Sequence, residues 1–197
     1  MKIQILSACT QSDQWSAISV LTWSINQVWA NKHDYEFLYF YLDSNLSRPS
    51  SWYKILLMLK ALSDKSINLV MWIDADAIIL KDFQVEDLNT GSDLRMGVDS
   101  NGLNAGIILL RNTDWSVGFL NRVWESESFI HHIWWEQAAI HHLQQMGYLK
   151  NHLDPLPPEF NSYEPIKGKT FIAHAAGQEH KYDFLHKAIK CFSVLDK

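Results

Sequence analysis

The segment that most constrains this chain is an apolar run that ends at two aspartates. Residues 68–83 read NLVMWIDADAIILKDF, so a short buried strand precedes Asp74 and Asp76. A carboxylate beside so much apolar surface is costly unless it is paired or binds a cation. In extended chain, residues i and i+2 point to the same side, which predicts that both carboxylates face one point. Two hard oxygen ligands suit Mg²⁺ or Mn²⁺.

The same two aspartates also fit a simpler structure, a strand that ends in a solvated turn with Asp76 capping the next segment. The D-x-D spacing alone does not decide between the two. In open α/β sheets, however, ligands gather beyond the carboxyl ends of the strands. The apolar run places the pair at such an end and favours the metal site.

Short apolar strands alternate with amphipathic helices along the chain. Strands are predicted at 3–8, 35–42, 68–73, 94–98, 103–110 and 170–174. Helices are predicted after a Ser12 cap, after a Ser51 cap over 52–65, and at 114–125, 133–146 and 181–192. The buried stripe of the first helix is predicted to contain Ile18, Leu21, Ile25, Val28 and Trp29. This order predicts an α/β fold, a mostly parallel mixed sheet with helices on both faces, in one domain over residues 1–197.

Composition limits the partners. The 197 residues are 47% hydrophobic and 20% charged, which allows a sizeable core. The net charge of −5 argues against a broad basic face for nucleic acid. No apolar run approaches the roughly 20 residues of a membrane span, and MKIQILSACT lacks a secretory core. Cys9 and Cys191 have neither zinc-site spacing nor disulfide density, so a cytoplasmic location is expected.

Four sequence blocks, in this order, resemble one group of enzymes. WIDADAIIL, LNAGIILLRNTDWS, WWEQAAI and FIAHAAG follow one another within residues 50–180. They resemble the metal-dependent glycosyltransferases of GT-A fold, and in particular glycosyltransferase family 34, a group of galactosyl-, mannosyl- and xylosyltransferases. The resemblance implies a GT-A domain with a Rossmann-like nucleotide-binding half. It also implies transfer of a sugar from a nucleotide-diphosphate sugar, first of all a UDP-sugar, to a hydroxyl of a glycan or other acceptor, with retention of configuration.

The resemblance also implies a set of metal ligands. Asp74 and Asp76, with Ala75 between them, would hold Mn²⁺ against the donor diphosphate, and His174 would be the third protein ligand. An imidazole suits Mn²⁺ better than Mg²⁺, which stays the alternative. Gly177 would let the backbone approach the phosphates. Taken alone, His174 also fits a surface or helix-capping histidine.

Further donor contacts follow from the same resemblance. Lys54, in a W-x-K pattern, would reach the diphosphate, and Lys181 is a second candidate at a longer spacing after the glycine than the family shows. Asn104 would touch the donor sugar, and the small residues Ala105 and Gly106 allow close backbone approach. The alternatives are an exposed helix lysine, a lysine that opens the last helix, and a turn asparagine.

The resemblance places two more residues near the transferred sugar, and Asp99 is a further candidate because it lies near this region. Glu136 and Gln137 would contact it beneath its reactive face, with glutamate where the family usually has aspartate. Asp99 would bind sugar hydroxyls or stabilise a turn, and Glu136 and Gln137 also fit a solvated helix face. Thr10, at the end of the first strand, is the predicted contact with the nucleoside base.

Two features of the composition are expected to be unrelated to the metal site. The histidine pairs at 131–132 and 141–142 are predicted not to bind zinc, because a ten-residue spacing turns a helix by about 1000°. Most of the nine tryptophans recur at helical spacing and are predicted to be core. Trp134 and Trp135, beside the predicted sugar site, are the exceptions.

Other functions stay open at this point. A metal-dependent nucleotidyltransferase or sugar-nucleotide hydrolase would share the diphosphate site, and a non-catalytic nucleotide-sugar-binding module would share the fold. The absence of a glycine-rich P-loop argues against an ordinary kinase. An inverting transferase would need a base such as Asp99 or Glu136. The chain is also short enough to be one domain of a longer protein.

Overall fold

The central sheet has five strands in the computed structural model, which describes residues 1–43 and 45–192. β1 (Ile3–Thr10) lies between β2 (Glu36–Leu42) and β3 (Leu69–Ile73), and both neighbours run parallel to it. Every residue of β3 is buried, as its LVMWI sequence predicts for a strand covered on both faces.

The other half of the sheet contains the one strand that runs in the opposite direction. β6 (Gly102–Arg111) is antiparallel to both β3 and β5 (Leu94–Asp99), which gives the order β2-β1-β3-β6-β5. The other four of these five strands therefore share one direction. The mixed, mostly parallel α/β sheet predicted from the sequence is confirmed.

Helices cover both faces of this sheet. In the described part of the chain, the α-helices are α1 (Asp13–Lys32), α2 (Tyr53–Leu62), α3 (Asp114–Trp124), α4 (Trp135–Gln145) and α5 (Lys181–Phe192). The apolar core on one face includes Trp23 and Trp29 of α1, and the core on the other face includes side chains of α2, α3 and α4. None of these helices combines the length and apolar character that a membrane crossing requires.

A second, two-stranded sheet lies beside the main one. β4 (Ala77–Ile79) pairs antiparallel with β7 (Ile172–His174), and the register sets Ala77 opposite His174. The sequence predicted a strand over 170–174, of which the last three residues form β7, and β4 was not predicted. This pairing brings His174 next to the turn that contains the two aspartates.

The inner face of α1 differs from the predicted one. Val28 was predicted to be buried but is 60% exposed, whereas Thr22 and Asn26 are buried. The Thr22 hydroxyl donates to the carbonyl oxygen of Ala75 at 2.7 Å, and the Asn26 amide donates to that of Ala77 at 3.1 Å. Polar residues replace apolar ones here because α1 binds the backbone of the acidic turn.

Capping was predicted correctly for α1 and wrongly for α2. The Ser12 hydroxyl accepts from the N–H of Trp15 at 3.3 Å. Ser51 does not cap α2, because a 3-10 turn over Ser50–Trp52 precedes the helix and places Trp52 at its N-cap position. α2 and α4 are also shorter than the predicted segments 52–65 and 133–146.

Candidate metal and donor site

A cleft of about 930 Å³ opens at the carboxyl ends of β1 and β3. Every residue that the sequence predicted to contact metal, donor or sugar lines this cleft. These residues are Thr10, Lys54, Asp74, Ala75, Asp76, Asp99, Asn104, Ala105, Gly106, Glu136, Gln137, His174, Gly177 and Lys181. The fold therefore brings them together in space. Their individual roles in binding metal, donor or sugar stay predictions.

Asp74 and Asp76 lie in a turn between β3 and β4, so the extended geometry predicted for them is wrong. The N–H of Ala77 donates to the Asp74 carbonyl oxygen at 2.9 Å, and the N–H of Ala175 donates to that of Asp76 at 2.9 Å. Both carboxylates nevertheless face His174. Its Nε2 lies 3.8 Å from Asp74 Oδ2 and 3.3 Å from Asp76 Oδ1.

Each carboxylate uses one oxygen for protein donors and directs the other toward the imidazole. Asp74 Oδ1 accepts from the Lys54 ammonium at 2.9 Å and from the indole N–H of Trp72 at 2.6 Å. Asp76 Oδ2 accepts from the Lys181 ammonium at 2.6 Å. The protein donors thus hold both carboxylates in orientations that leave Asp74 Oδ2 and Asp76 Oδ1 facing one point.

Asn161 orients the imidazole of His174. Its Nδ2 donates to the Val98 carbonyl oxygen at 3.0 Å, so its Oδ1 faces the imidazole and accepts from Nδ1 at 2.8 Å. With Nδ1 as the donor, neutral His174 presents the Nε2 lone pair to the carboxylates. Nε2 has no hydrogen-bond partner, and the side chain is 1% exposed. A buried lone pair that faces carboxylate oxygens is stabilised by a cation placed between them.

Neighbouring charges shift the pKa of two groups at the turn, Asp76 and Lys54. Burial favours a higher pKa for Asp76, but the His174 imidazole in its protonated form and the Lys181 ammonium outweigh it and hold the pKa of this carboxyl below its usual range. Burial favours a lower pKa for Lys54, but Asp74 and Glu136 outweigh it and raise the pKa. The floor of the cleft therefore holds carboxylates and ammonium groups in direct contact.

Asp74, Asp76 and His174 each offer one ligand atom, and these atoms lie within 4.8 Å of one another. Two carboxylate oxygens and an imidazole nitrogen form a donor set that suits Mn²⁺. Among residues 1–43 and 45–192, no other group of three acidic, histidine or cysteine side chains is close enough to hold an ion. The histidine pairs at 131–132 and 141–142 do not share a helix, since α4 begins only at Trp135.

Two glycines make room for the imidazole and for the amide that orients it. A Cβ at position 106 would lie 2.7 Å from Nδ1 and 2.8 Å from Nε2 of His174. A Cβ at position 97 would lie 2.9 Å from the Cβ of Asn161. Gly106, predicted to admit a ligand, thus has a structural role in admitting His174, and its predicted contact with the donor stays a prediction.

Lys54 links the acidic turn to the start of α4. Its ammonium lies 3.0 Å from Glu136 Oε1 and donates to the Ala105 carbonyl oxygen at 2.9 Å, and the residue is 4% exposed. Gln137 Oε1 accepts from the N–H of Ala105 at 3.0 Å. Glu136 Oε2 is buried and has no hydrogen-bond partner. Glu136 therefore keeps one buried acceptor oxygen without a protein donor, whereas the Lys54 ammonium is held by protein oxygens.

Asp99 belongs to a separate polar network. Its Oδ2 accepts from the Tyr163 hydroxyl at 2.9 Å and from the Asn104 amide at 3.0 Å, and its Oδ1 accepts from the N–H of Asn101 at 2.6 Å. Burial and the hydrogen bond to Asp99 raise the pKa of Tyr163, so its hydroxyl stays a donor. Both oxygens of Asp99 are engaged by the protein.

Sequence reasoning missed Asn161, Tyr163 and Trp72. The first two lie in the proline-rich tract 153–165, where no periodicity indicates which side chains turn inward. The only signal in this tract is its density of prolines, which is typical of a structured loop. Trp72 reads as a core residue of β3, and its indole N–H contact to Asp74 depends on the turn that follows the strand.

No protein-family model and no curated protein sequence matches this chain. Solved structures do match. A glycosyltransferase involved in the glycosylation of the major capsid of PBCV-1 superposes with a TM-score of 0.74 at 12% identity, over 96% of this chain and 100% of that one. The galactosyltransferase LgtC, in complex with donor and acceptor sugar analogs, matches with a TM-score of 0.59 at 12% identity, over 98% and 96%. Mouse xyloside xylosyltransferase 1 matches with a TM-score of 0.51 at 11% identity, over 90% and 98%.

At these identities the likeness is one of fold. The chain has the GT-A-like α/β fold of these glycosyltransferases. Within that fold, two aspartates and a histidine form a candidate metal site. The comparisons do not single out family 34, so that finer resemblance stays a prediction.

Proposed function

We propose that this chain is a metal-dependent glycosyltransferase that moves a sugar from a nucleotide-diphosphate sugar to a hydroxyl of a glycan or other acceptor. UDP-sugars are the first donors to test, and Mn²⁺ is the first ion. One observation carries the proposal. Asp74 Oδ2, Asp76 Oδ1 and the unpartnered Nε2 of His174 converge in a buried corner of a large cleft, on a fold that known glycosyltransferases share.

Asp74, Asp76 and His174 would hold the ion. When bound, Mn²⁺ supplies charge stabilisation for the nucleoside-diphosphate leaving group. Lys181 adds a positive charge of the chain's own at the same edge, since its ammonium donates to Asp76 and to the Ala175 carbonyl oxygen, each at 2.6 Å. No acid is needed to protonate a leaving group whose charge is neutralised in this way.

The hydrogen bonds of Asp99 favour a retaining reaction over one in which Asp99 is the base. Asp99 has both oxygens engaged, so it is poorly placed to act as the base that inversion needs. Glu136 Oε2 is buried and unpartnered, and it can accept a hydrogen bond from a hydroxyl of the transferred sugar. In the retaining reaction, a phosphate oxygen of the departing diphosphate takes the acceptor proton. The assignment to family 34, a single catalytic domain and a cytoplasmic location are further parts of this proposal.

A thermal-denaturation screen of nucleotide sugars with Mn²⁺ tests the proposal. A donor at about a thousand times its dissociation constant adds about 4 kcal/mol of stability. For a chain of this size, that shift raises Tm by roughly 8–16 °C. Asp76→Asn should lose both the shift and turnover, whereas Asp87→Asn, at an exposed acid away from the cleft, should keep both.

Product analysis separates the rival functions. Release of nucleoside diphosphate that depends on an acceptor supports the transferase. Release at full rate without any acceptor indicates a hydrolase, and donor binding without turnover indicates a binding module. If no nucleotide sugar raises Tm under saturating Mn²⁺, the proposed donor site is wrong.

A further inference from the structure

Three consecutive large apolar residues are exposed at the rim of the cleft. Ile133, Trp134 and Trp135 are 77%, 41% and 44% exposed, and all three line the cleft. Within residues 1–43 and 45–192 this is the only run of three such residues. Exposed apolar runs of this length oppose solubility and are retained where they have a function. The run therefore indicates a surface that a ligand covers.

The backbone at this run is held in an unfavourable conformation. Trp135 has a φ of +44°, in the left-handed region that bulky side chains rarely adopt. Asparagine or glycine would adopt this conformation at lower cost. Residues held in such conformations cluster at functional sites. A tryptophan at this position is therefore better explained by a contact with a ligand than by the stability of the chain.

Local hydrogen bonds hold the run in place. The N–H of Trp135 donates to the His132 carbonyl oxygen at 2.9 Å, and the N–H of Gln137 donates to that of Trp134 at 2.9 Å. The Trp134 indole packs against the imidazole of His141, with ring centroids 5.9 Å apart. An aromatic surface that is already positioned loses little conformational freedom when a ligand binds.

We infer that Ile133, Trp134 and Trp135, the tryptophan platform, bind the acceptor, and that this acceptor is a neutral glycan. The inference rests on the proposed function, because it is the transfer reaction that requires an acceptor beside the donor sugar. Glu136, the predicted contact of that sugar, follows the platform directly in the chain. The electropositive C–H groups on one face of a pyranose match the negative face of an indole ring.

The charges of the cleft favour a neutral acceptor over an anionic one. Lys54 and Lys181 are the lysines among the described lining residues, and the ammonium group of each already contacts a carboxylate. No arginine is found among those lining residues. Ser100 and Asn101, which also line the cleft, offer uncharged hydrogen-bonding groups for sugar hydroxyls. An acidic sugar would lack a free cation to pair with.

Saturation-transfer NMR on the whole chain with UDP and Mg²⁺, the diamagnetic alternative to Mn²⁺, tests this inference. The panel contains neutral methyl hexopyranosides and disaccharides, their uronate counterparts, and octyl glycosides. We expect saturation of the pyranose C–H protons of neutral members, and binding roughly tenfold weaker in Trp134→Ala and Trp135→Asn. Trp134→Phe keeps an aromatic face and should retain binding. Met146→Ala, at an exposed apolar residue just beyond α4 and outside the cleft lining, is the matched control.

Each other outcome overturns either the inference or the proposed donor site. Wild-type binding in both tryptophan variants would show that the platform does not contact the acceptor. Saturation confined to the octyl chain would indicate a lipid-linked partner, and preference for uronates would refute a neutral acceptor. UDP binding with Mn²⁺ is titrated separately. If UDP binds but no glycan does, acceptor binding by the platform is refuted and the proposed donor site stands. If glycan binding depends on the platform but UDP does not bind, the proposed donor site is refuted.

Discussion

Replacing Gly106 by alanine tests how closely the metal site depends on the backbone of β6. The added Cβ would lie 2.7 Å from Nδ1 and 2.8 Å from Nε2 of His174, and closer still to Cε1. Normal non-bonded contact between heavy atoms needs about 3.5 Å, so the imidazole must move by more than about 0.8 Å. A shift of that size breaks the 2.8 Å hydrogen bond from Nδ1 to Asn161, or displaces Nε2 from the carboxylates.

The expected effects of Gly106→Ala combine two costs. Overpacking a filled site costs about 1–3 kcal/mol, and a buried hydrogen bond that is lost costs about 1–3 kcal/mol. Together they predict a fall of about 2–6 kcal/mol in the free energy of unfolding of the metal-free protein, or roughly 4–24 °C in Tm. Misplacing an imidazole ligand should also weaken Mn²⁺ binding by about 10–100-fold.

Calorimetric titration with Mn²⁺ and thermal denaturation of the metal-free protein measure the two effects. Gly118→Ala, on helix α3, is the matched control. A Cβ at position 118 would meet only the Tyr148 hydroxyl, at an ordinary contact distance of 3.6 Å. It should leave Mn²⁺ binding unchanged and raise stability by about 0.5–1 kcal/mol. Wild-type affinity for Mn²⁺ in Gly106→Ala would refute the argument that this glycine admits the metal-binding imidazole.

Two further predictions concern charged groups. Lys54→Met removes the buried ammonium between the buried Glu136 carboxylate and the half-buried Asp74 carboxylate, and should cost about 3–5 kcal/mol in thermal denaturation. Lys60→Met, on the exposed side of the same helix, should stay within about 0.5 kcal/mol. Equal Tm values for Lys54→Met and Lys60→Met would contradict a stabilising role for the Lys54 ammonium. Partial burial favours a higher pKa for Asp82, but hydrogen bonds from Lys32 and His33 lower it below its usual range. Its contribution to stability is present above the unfolded pKa of about 3.9 and is lost as pH falls through the lower folded value. The Tm of Asp82→Asn should therefore lie below that of the wild type at neutral pH and approach it at acid pH. A difference in Tm that persists at acid pH would contradict a lowered pKa for Asp82.

The sequence was informative where one local pattern determines a position. The apolar run of β3 places Asp74 and Asp76 at the end of a central strand, whatever the geometry of the turn that follows. The order of strands and helices predicts the sheet and its two covered faces. Both inferences depend on burial and periodicity, which neighbouring residues reveal.

The sequence was uninformative where distant segments decide. Asn161 orients His174 only because the chain around Ser162 pairs with Ala173, and no local pattern encodes that register. Val28 fits the apolar stripe of α1, but the helix is rotated so that Asn26 reaches the acidic turn. Ser51 has the composition of a cap, but the 3-10 turn around it does not present its hydroxyl to the helix. In each case a tertiary contact outweighs a local preference.

The site is assembled from parts of the chain that are far apart in sequence. Asp76 and the lysine that it contacts are separated by 105 positions. An unfolded chain cannot hold these groups together, so a divalent ion has high affinity for the native state only. Any free energy gained on capturing the ion is therefore added to the stability of the whole fold. Resistance to denaturation should follow the concentration of free manganese, and a chelator should weaken the molecule at sites remote from the cleft.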